Sequence, residues 1–240
     1  MKKAAFYTLG CKVNQYETEA MAELFADSGY EIKEFTEVAD VYVINTCSVT
    51  NMGDRKSRQI IRRAKKLNPN AVIAVTGCYA QTAPDEVLAI EGVNLVLGTK
   101  DRKNIVTLVE ELNTESNINH VSDIMSNHEF EELQIKQYSN RTRAFIKIQE
   151  GCNQFCSYCI IPYARGRVRS RKIEDIIDEV RKLAESGCHE IVVTGIHLSS
   201  YGLDFDNTEY NAQPVPNAER LLQVLEAIAA VDGIDRIRLG

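Results

Sequence analysis

Val41-Tyr42-Val43-Ile44-Asn45-Thr46-Cys47 is the stretch whose reading decides the fold. Four consecutive apolar residues leave no solvent-facing side, so the run reads as a strand buried on both faces. Ala4-Ala5-Phe6-Tyr7-Thr8, Val72-Ile73-Ala74-Val75-Thr76 and Val93-Asn94-Leu95-Val96-Leu97 share its form. Helical spacing fills the intervals. Tyr16, Ala20, Leu24 and Phe25 fall on one face of a first helix. Arg55 to Leu67 reads as a second, ended by Asn68-Pro69-Asn70, with a third around Pro84 to Ile90 and a fourth from about Asp101 to Leu112. Alternating strands and helices predict an α/β fold, with an open parallel sheet covered by helices on both faces over residues 1–113.

Outside this unit the pattern changes. Residues 114–138 are dominated by Asn, Ser, His and Glu, and five acids face a single lysine, Lys136, so the segment reads as a linker or surface loop. A second α/β unit is expected over residues 139–240. Its strands are Ala144 to Ile148, Glu190 to Thr194 and Arg236 to Leu239. Its helices run through Ile173–Ala184 and Ala218–Val231, and residues 202–216 form a polar loop. Three strands and two helices make the first part of a partial barrel or sheet, with an apolar edge left unpaired, so the unit reads as C-terminally incomplete.

Composition places the chain among globular proteins: of 240 residues, 44% are apolar and 26% charged. No run of eighteen apolar residues exists, which excludes a membrane-spanning helix. Ala4 to Leu9 is too short for a signal peptide, so a reducing cytoplasm is the expected compartment. The net charge of −6 means that any nucleic-acid binding must come from local patches or a missing part.

Seven cysteines, an odd number in a chain without a secretion signal, argue for metal or redox chemistry over disulfides. Cys152, Cys156 and Cys159 form Cys-x-x-x-Cys-x-x-Cys directly after a predicted strand. Zinc normally takes four ligands, and no fourth Cys or His stands nearby. Three thiolates suit a 4Fe-4S cluster with one iron left open, although a zinc or structural role is the competing reading. Cys11, Cys47 and Cys78 are dispersed, yet each follows a predicted strand. The C-terminal ends of parallel strands line one edge of a sheet, so these three can converge on a second centre, with Gly10 and Gly77 permitting close approach. Buried inert thiols are the alternative for this set. Cys188, between a helix and a strand, reads as a packed free thiol.

Other candidates are fewer. His120 and His128 lie in the polar linker and are expected to be exposed. His189 is expected to be packed, and His197 lies at a strand end on the presumed active edge. Seven Lys/Arg and no acid between Arg55 and Lys66 read as a solvated helix face. Arg165, Arg167, Arg169 and Arg171, in a loop just after the Cys152–Cys159 motif, could hold phosphates or carboxylates of a substrate.

The spacing at Cys152–Cys159, with Tyr158 before the last cysteine, resembles the radical S-adenosylmethionine superfamily. Together with Gly10-Cys11-Lys12-Val13-Asn14, Asn45-Thr46-Cys47 and Thr76-Gly77-Cys78, it resembles the methylthiotransferase family specifically. Gly10–Glu17 and Thr194–Gly202 are most similar to the branch that acts on N6-threonylcarbamoyladenosine in tRNA. Sister branches modify isopentenyladenosine in tRNA or an aspartate of a ribosomal protein. The resemblance implies that residues 139–240 begin a radical S-adenosylmethionine core domain, a (β/α) partial barrel. It implies two 4Fe-4S clusters. Cys152, Cys156 and Cys159 would hold the one that binds S-adenosylmethionine and yields a 5′-deoxyadenosyl radical. Cys11, Cys47 and Cys78 would hold an auxiliary cluster carrying the sulfur. Tyr158 would lie along the cofactor's adenine, with Thr194 and Gly195 beside its methionine moiety. The implied partners are tRNA and a flavodoxin- or ferredoxin-like electron donor. Two readings outside this class remain: a zinc module that binds RNA through Arg165–Arg171, and an electron-transfer protein with two clusters in relay.

Overall fold

The structure is a computed structural model describing residues 1–48, 51–112, 117–135, 142–205 and 218–240. Six strands form a parallel sheet: β1 (Lys3–Thr8), β2 (Glu31–Lys33), β3 (Val41–Thr46), β4 (Val72–Gly77), β5 (Leu95–Leu97) and β6 (Ile118–His120), in the order β2-β1-β3-β4-β5-β6. Every residue of β3 is buried, as a strand covered on both faces must be. On one face lie α2 (Asn51–Leu67), α3 (Cys78–Thr82) and α4 (Pro84–Leu88), with Ile61, Tyr79 and Val87 in a core with Tyr42, Ile44 and Val75. On the other lie α1 (Lys12–Asp27) and α5 (Ile105–Glu110), with Met21, Phe25 and Ile105 against Val41, Val43 and Ala74.

The second sheet has the order β10-β9-β7-β8. Strands β7 (Arg143–Glu150), β9 (Glu190–Gly195) and β10 (Arg236–Leu239) are parallel, and the two-residue β8 (Arg169–Ser170) is antiparallel to β7. Helices α7 (Ile173–Glu185) and α8 (Ala218–Ala229) cover it, while the five-residue α6 (Ile161–Arg165) follows the Cys152–Cys159 loop. β10 is an edge strand, and its Leu239 is exposed.

The structure departs from the sequence reading in four places. Helix α1 does not present one apolar face to one sheet. Met21 and Phe25 turn to the first sheet, whereas Tyr16 and Ala20 join the core of the second with Ile146, Ile191 and Val193. A helix packed between two sheets needs two stripes. The expected helix from Asp101 to Leu112 is a short 3-10 turn, Arg102–Asn104, followed by α5. The segment expected as a linker carries β6, and its Leu133 and Ile135 are buried in the second core. Finally, β2, α3, β8 and α6 are not in the sequence reading; pieces of two to five residues carry too little periodicity to read. The expected loop at 202–216 lies largely outside the described residues.

Candidate metal centres

Adjacent strands bring the dispersed cysteines to one edge. Thr8 of β1 is in register with Asn45 of β3, and Thr46 of β3 with Gly77 of β4. Cys11, Cys47 and Cys78 therefore leave three neighbouring strands at their C-terminal ends. Gly10 has φ +102°, and a methyl group there would stand 2.9 Å from Cys47 Cβ and 3.0 Å from its Sγ. Only glycine lets the Cys11 turn lie against Cys47. Asn14 binds the turns together: its Nδ2 donates to Leu9 O (2.7 Å) and Thr46 O (3.0 Å), and its Oδ1 accepts from Cys11 Sγ (3.8 Å). Thr46 Oγ1 in turn donates to Thr76 O (2.5 Å) and accepts from the Ala80 N–H (3.3 Å). Cys11 is exposed, Cys47 half-buried and Cys78 buried, so the group has one enclosed and one open side. Burial pushes the Cys78 thiol up, and the Arg165 guanidinium opposes it.

The second set sits beyond β7. The Cys152 N–H donates to Gly166 O (3.1 Å), and the Cys159 N–H to Cys156 O (2.9 Å). Asn153 Oδ1 accepts from the Val168 N–H (3.0 Å), fixing the loop to the segment after α6. Cys152 is buried, Cys156 exposed and Cys159 half-buried. Tyr158 is 90% exposed, its ring free of the protein core. At the end of β9, Thr194 is buried and Gly195 packs on Gln149. Gln149 Nε2 donates to Glu150 O and Gly151 O, and its Oε1 accepts from the His197 N–H (2.7 Å), so Gln149 joins the Cys152 loop to the turn after β9. His197 is engaged with Ser200 Oγ (Nδ1 at 2.6 Å).

Helices α3 and α6 pack together and close the distance between the sets. Thr99 Oγ1 donates to Ala164 O (2.7 Å), and Arg165 Nε donates to Cys78 Sγ (3.3 Å). A cleft of about 410 Å³ opens beside this junction, lined by Gln81, Thr82, Asp123, Met125, Ile160 and Tyr163. Gln81 and Thr82 stand at the far end of the helix that Cys78 opens, and Ile160 directly follows Cys159.

The basic loop is not a solvent-facing patch. Arg165, Arg169 and Arg171 are buried. Arg165 pairs with Glu17 (2.6 Å) and Glu150 (2.5 Å) and donates to Asn14 Oδ1. Arg171 pairs with Glu132 (2.8 Å) and with Glu179. Arg169 lies 4.0 Å from Glu150 and donates to Arg165 O (2.9 Å). The expectation that these arginines grip a substrate gives way to an internal role; Arg167, half-buried over the Phe155 ring (5.8 Å), is the member nearest solvent. Lys147 and Arg102, which sequence reasoning passed over, belong to the same enclosed network. A lysine within the apolar run Ala144–Ile148 was the available signal. His120 and His128 are exposed as expected, and Cys188 is buried, its thiol 3.5 Å from Glu190 O. His189 is exposed rather than packed, lying 2.9 Å from Gly233 O.

All seven cysteines are free thiols. Among the described residues, no three Cys, His, Asp or Glu side chains are drawn onto a single-ion site. A cluster takes one thiolate at each of several irons, so its cysteines surround it rather than meet at a point. Two sets of three soft donors, each with a buried and an open member, fit that requirement.

Comparison with known proteins bears on both halves. Residues 3–98 match the uncharacterized protein family UPF0004, and residues 146–238 match the radical SAM superfamily. The chain is 51% identical, over its whole length, to the threonylcarbamoyladenosine tRNA methylthiotransferase MtaB of Bacillus subtilis, covering 51% of that protein. It is 42% identical over 99% of its length to the Aquifex aeolicus protein of the same name, covering 55% of it. It is 36% identical over 96% of its length to the tRNA-2-methylthio-N(6)-dimethylallyladenosine synthase of a Sulfurihydrogenibium species, covering 52%. The chain thus spans about half the length of the curated relatives it matches. Among solved structures, the radical S-adenosylmethionine methyltransferase TsrM of Kitasatospora setae shares the fold at a TM-score of 0.59 and 15% identity, over 97% of this chain and 53% of that one. No helix among the described residues is long and apolar enough to cross a membrane.

Proposed function

Because the chain belongs to the radical SAM methylthiotransferase family, we propose that it carries the two cysteine sets of an enzyme that places a methylthio group on C2 of N6-threonylcarbamoyladenosine, beside the anticodon of tRNA. The observation that carries the reading is the junction of α3 with α6, which seats the Cys78 end of one set within a single hydrogen bond of the segment that follows the other. A sulfur donor and a radical source must both reach one substrate atom, and this junction supports such a meeting. The choice of nucleoside follows the 51% identity with the Bacillus subtilis protein.

Cys152, Cys156 and Cys159 would hold the 4Fe-4S cluster that engages S-adenosylmethionine, and Cys11, Cys47 and Cys78 the auxiliary one. When bound, these groups supply one-electron cleavage of S-adenosylmethionine and the sulfur to be inserted. The chain's own residues bind and orient. Exposed Tyr158 would offer a face to the cofactor's adenine, and the Thr194–Gly195 strand end, fixed through Gln149, would hold its methionine side. The cleft beside Tyr163 and Ile160 would take a base splayed out of a single-stranded loop, with the Tyr163 ring as its stacking face. Exposed Cys156 would mark the side from which a flavodoxin- or ferredoxin-like donor reaches the cluster. The setting for this chemistry is the cytoplasm.

Nucleoside mass spectrometry of tRNA from a strain deleted for the gene tests the reading. Loss of the methylthio group from threonylcarbamoyladenosine, restored on complementation, supports it. Loss from isopentenyladenosine instead would move the chain to the sister substrate, and unchanged tRNA would overturn the proposal.

A further inference from the structure

We infer that Arg165 is a positioning residue for the auxiliary centre: its Nε–H···Sγ bond to Cys78 sets the reduction potential of whatever iron that thiolate holds. The inference rests on the reading of Cys11, Cys47 and Cys78 as cluster ligands. Three observations carry it. The guanidinium has one orientation, because its other N–H groups go to Glu17 (2.6 Å), Glu150 (2.5 Å) and Asn14. The bond to Cys78 spans 3.3 Å, and both residues are buried, so water does not compete for the sulfur.

The third observation is a charge count. Within the enclosed network Arg102, Lys147, Arg165 and Arg169 share three carboxylates, Glu17, Glu131 and Glu150. Four cations against three anions leave one positive charge over, and Arg165 carries it to the Cys78 sulfur, where it reaches out of the network. Arg169 carries the same mark from the other side: burial and the neighbouring guanidinium groups hold it below its ordinary range. One-electron reduction of an iron–sulfur centre adds a negative charge, which a hydrogen bond from a cation to a ligating sulfur stabilises. Arg165 lies on the chain just after Cys159, so the segment that follows one cysteine set adjusts the electron affinity of the other.

The test uses the 240-residue chain with Cys152, Cys156 and Cys159 replaced by alanine, reconstituted anaerobically and titrated with dithionite under electron paramagnetic resonance. Arg165→Gln is expected to move the midpoint potential to more negative values. Arg165→Lys, which keeps the charge but loses the fork, should move it part of the way. Lys147→Gln removes one cation from the network without touching a cysteine, and a shift as large as that of Arg165→Gln would overturn the role of the bond. An unmoved potential in Arg165→Gln at unchanged iron content would overturn it as well. Should the Arg165 variants fail to fold, the unsubstituted guanidinium is read directly. In chain labelled with 15N-arginine, pulsed resonance of the reduced centre is expected to show coupling to arginine nitrogen, and its absence overturns the inference. If the parent variant binds no iron at all, the failure belongs to the reading of Cys11, Cys47 and Cys78 as ligands.

Discussion

The Lys147 ammonium stands 3.0 Å from the Glu17 carboxylate, with neither side chain reaching solvent. Glu17 belongs to α1 under the first sheet and Lys147 to the middle of β7 in the second, so this pair is a bolt between the two. Arg102 (2.5 Å) and Arg165 (2.6 Å) meet the same carboxylate. Removing one member of an enclosed ion network strands the rest, at a cost of about 3–5 kcal/mol. Glu17→Ala is therefore expected to lower the unfolding free energy by that amount in urea titration, with a loss under about 1 kcal/mol counting against the network as a structural element.

The same carboxylate makes acid the chain's weak side. Burial pushes Glu17 up, but Arg102, Arg165 and Lys147 together bring it from 4.5 down to about 2. A carboxyl held low in the folded state contributes stability that is complete above its unfolded value and disappears as pH falls through the folded one. The contribution is about 3 kcal/mol, lost between pH ~4.5 and ~2. Chemical unfolding followed across that window should show the fall. Glu17→Gln should reduce it, leaving the part contributed by Glu150, which burial pushes up but Lys147, Arg165 and Arg102 hold low.

Gly10→Ala tests the turn that presents Cys11. The backbone lies at φ +102°, and the new methyl would meet Cys47. A loss of about 1–3 kcal/mol is expected from backbone strain. Iron retained per chain should fall with it, whereas Gly29→Ala, also at positive φ (+85°) but with nothing near its added carbon, should lose stability and keep its iron.

Cys156→Ala should separate the centres. Reconstituted parent chain is expected to hold roughly eight irons and the variant about four, since one cluster loses a ligand and the other is untouched. Colorimetric iron and acid-labile sulfide measure this directly. One zinc per chain and no iron would point instead to a structural module.

Tyr158→Ala should weaken S-adenosylmethionine binding about fivefold to tenfold, the value of one aromatic stacking contact. The melting temperature should not change, because the ring is 90% exposed and supports no core. Calorimetric titration against the reconstituted chain separates the two effects.

Much of the first sheet was legible because strands buried on both faces spell themselves out, as Val41–Ile44 does, and because each such strand ends on a glycine or cysteine turn. That Cys11, Cys47 and Cys78 leave neighbouring strands at one edge of the sheet followed from topology alone: parallel strands share an edge. What failed were inferences that needed a partner. Arg165, Arg169 and Arg171 look like a surface patch when charge is read along the chain, but their carboxylates stand on α1, β7, α7 and the supposed linker. For the same reason Glu131 reads as solvated when it is an enclosed counter-ion to Arg102, whereas Glu132 is exposed as read and still pairs with Arg171. Helical spacing predicted α1 but could not show that Tyr16 and Phe25 face different sheets.

That stretch between the sheets has a consequence for how such chains can be inherited. Leu133 and Ile135 fill the second core, the Ile135 N–H donates to Glu179 (2.9 Å), and Glu131 reaches back to Arg102 (2.8 Å). A hybrid that joined the first segment of one relative to the second of another would have to take α1, the 131–135 strip and the arginine loop from the same parent. The two segments match two separate family models, yet the seam joins them physically: a change on one side of it is expected to need a counterpart on the other.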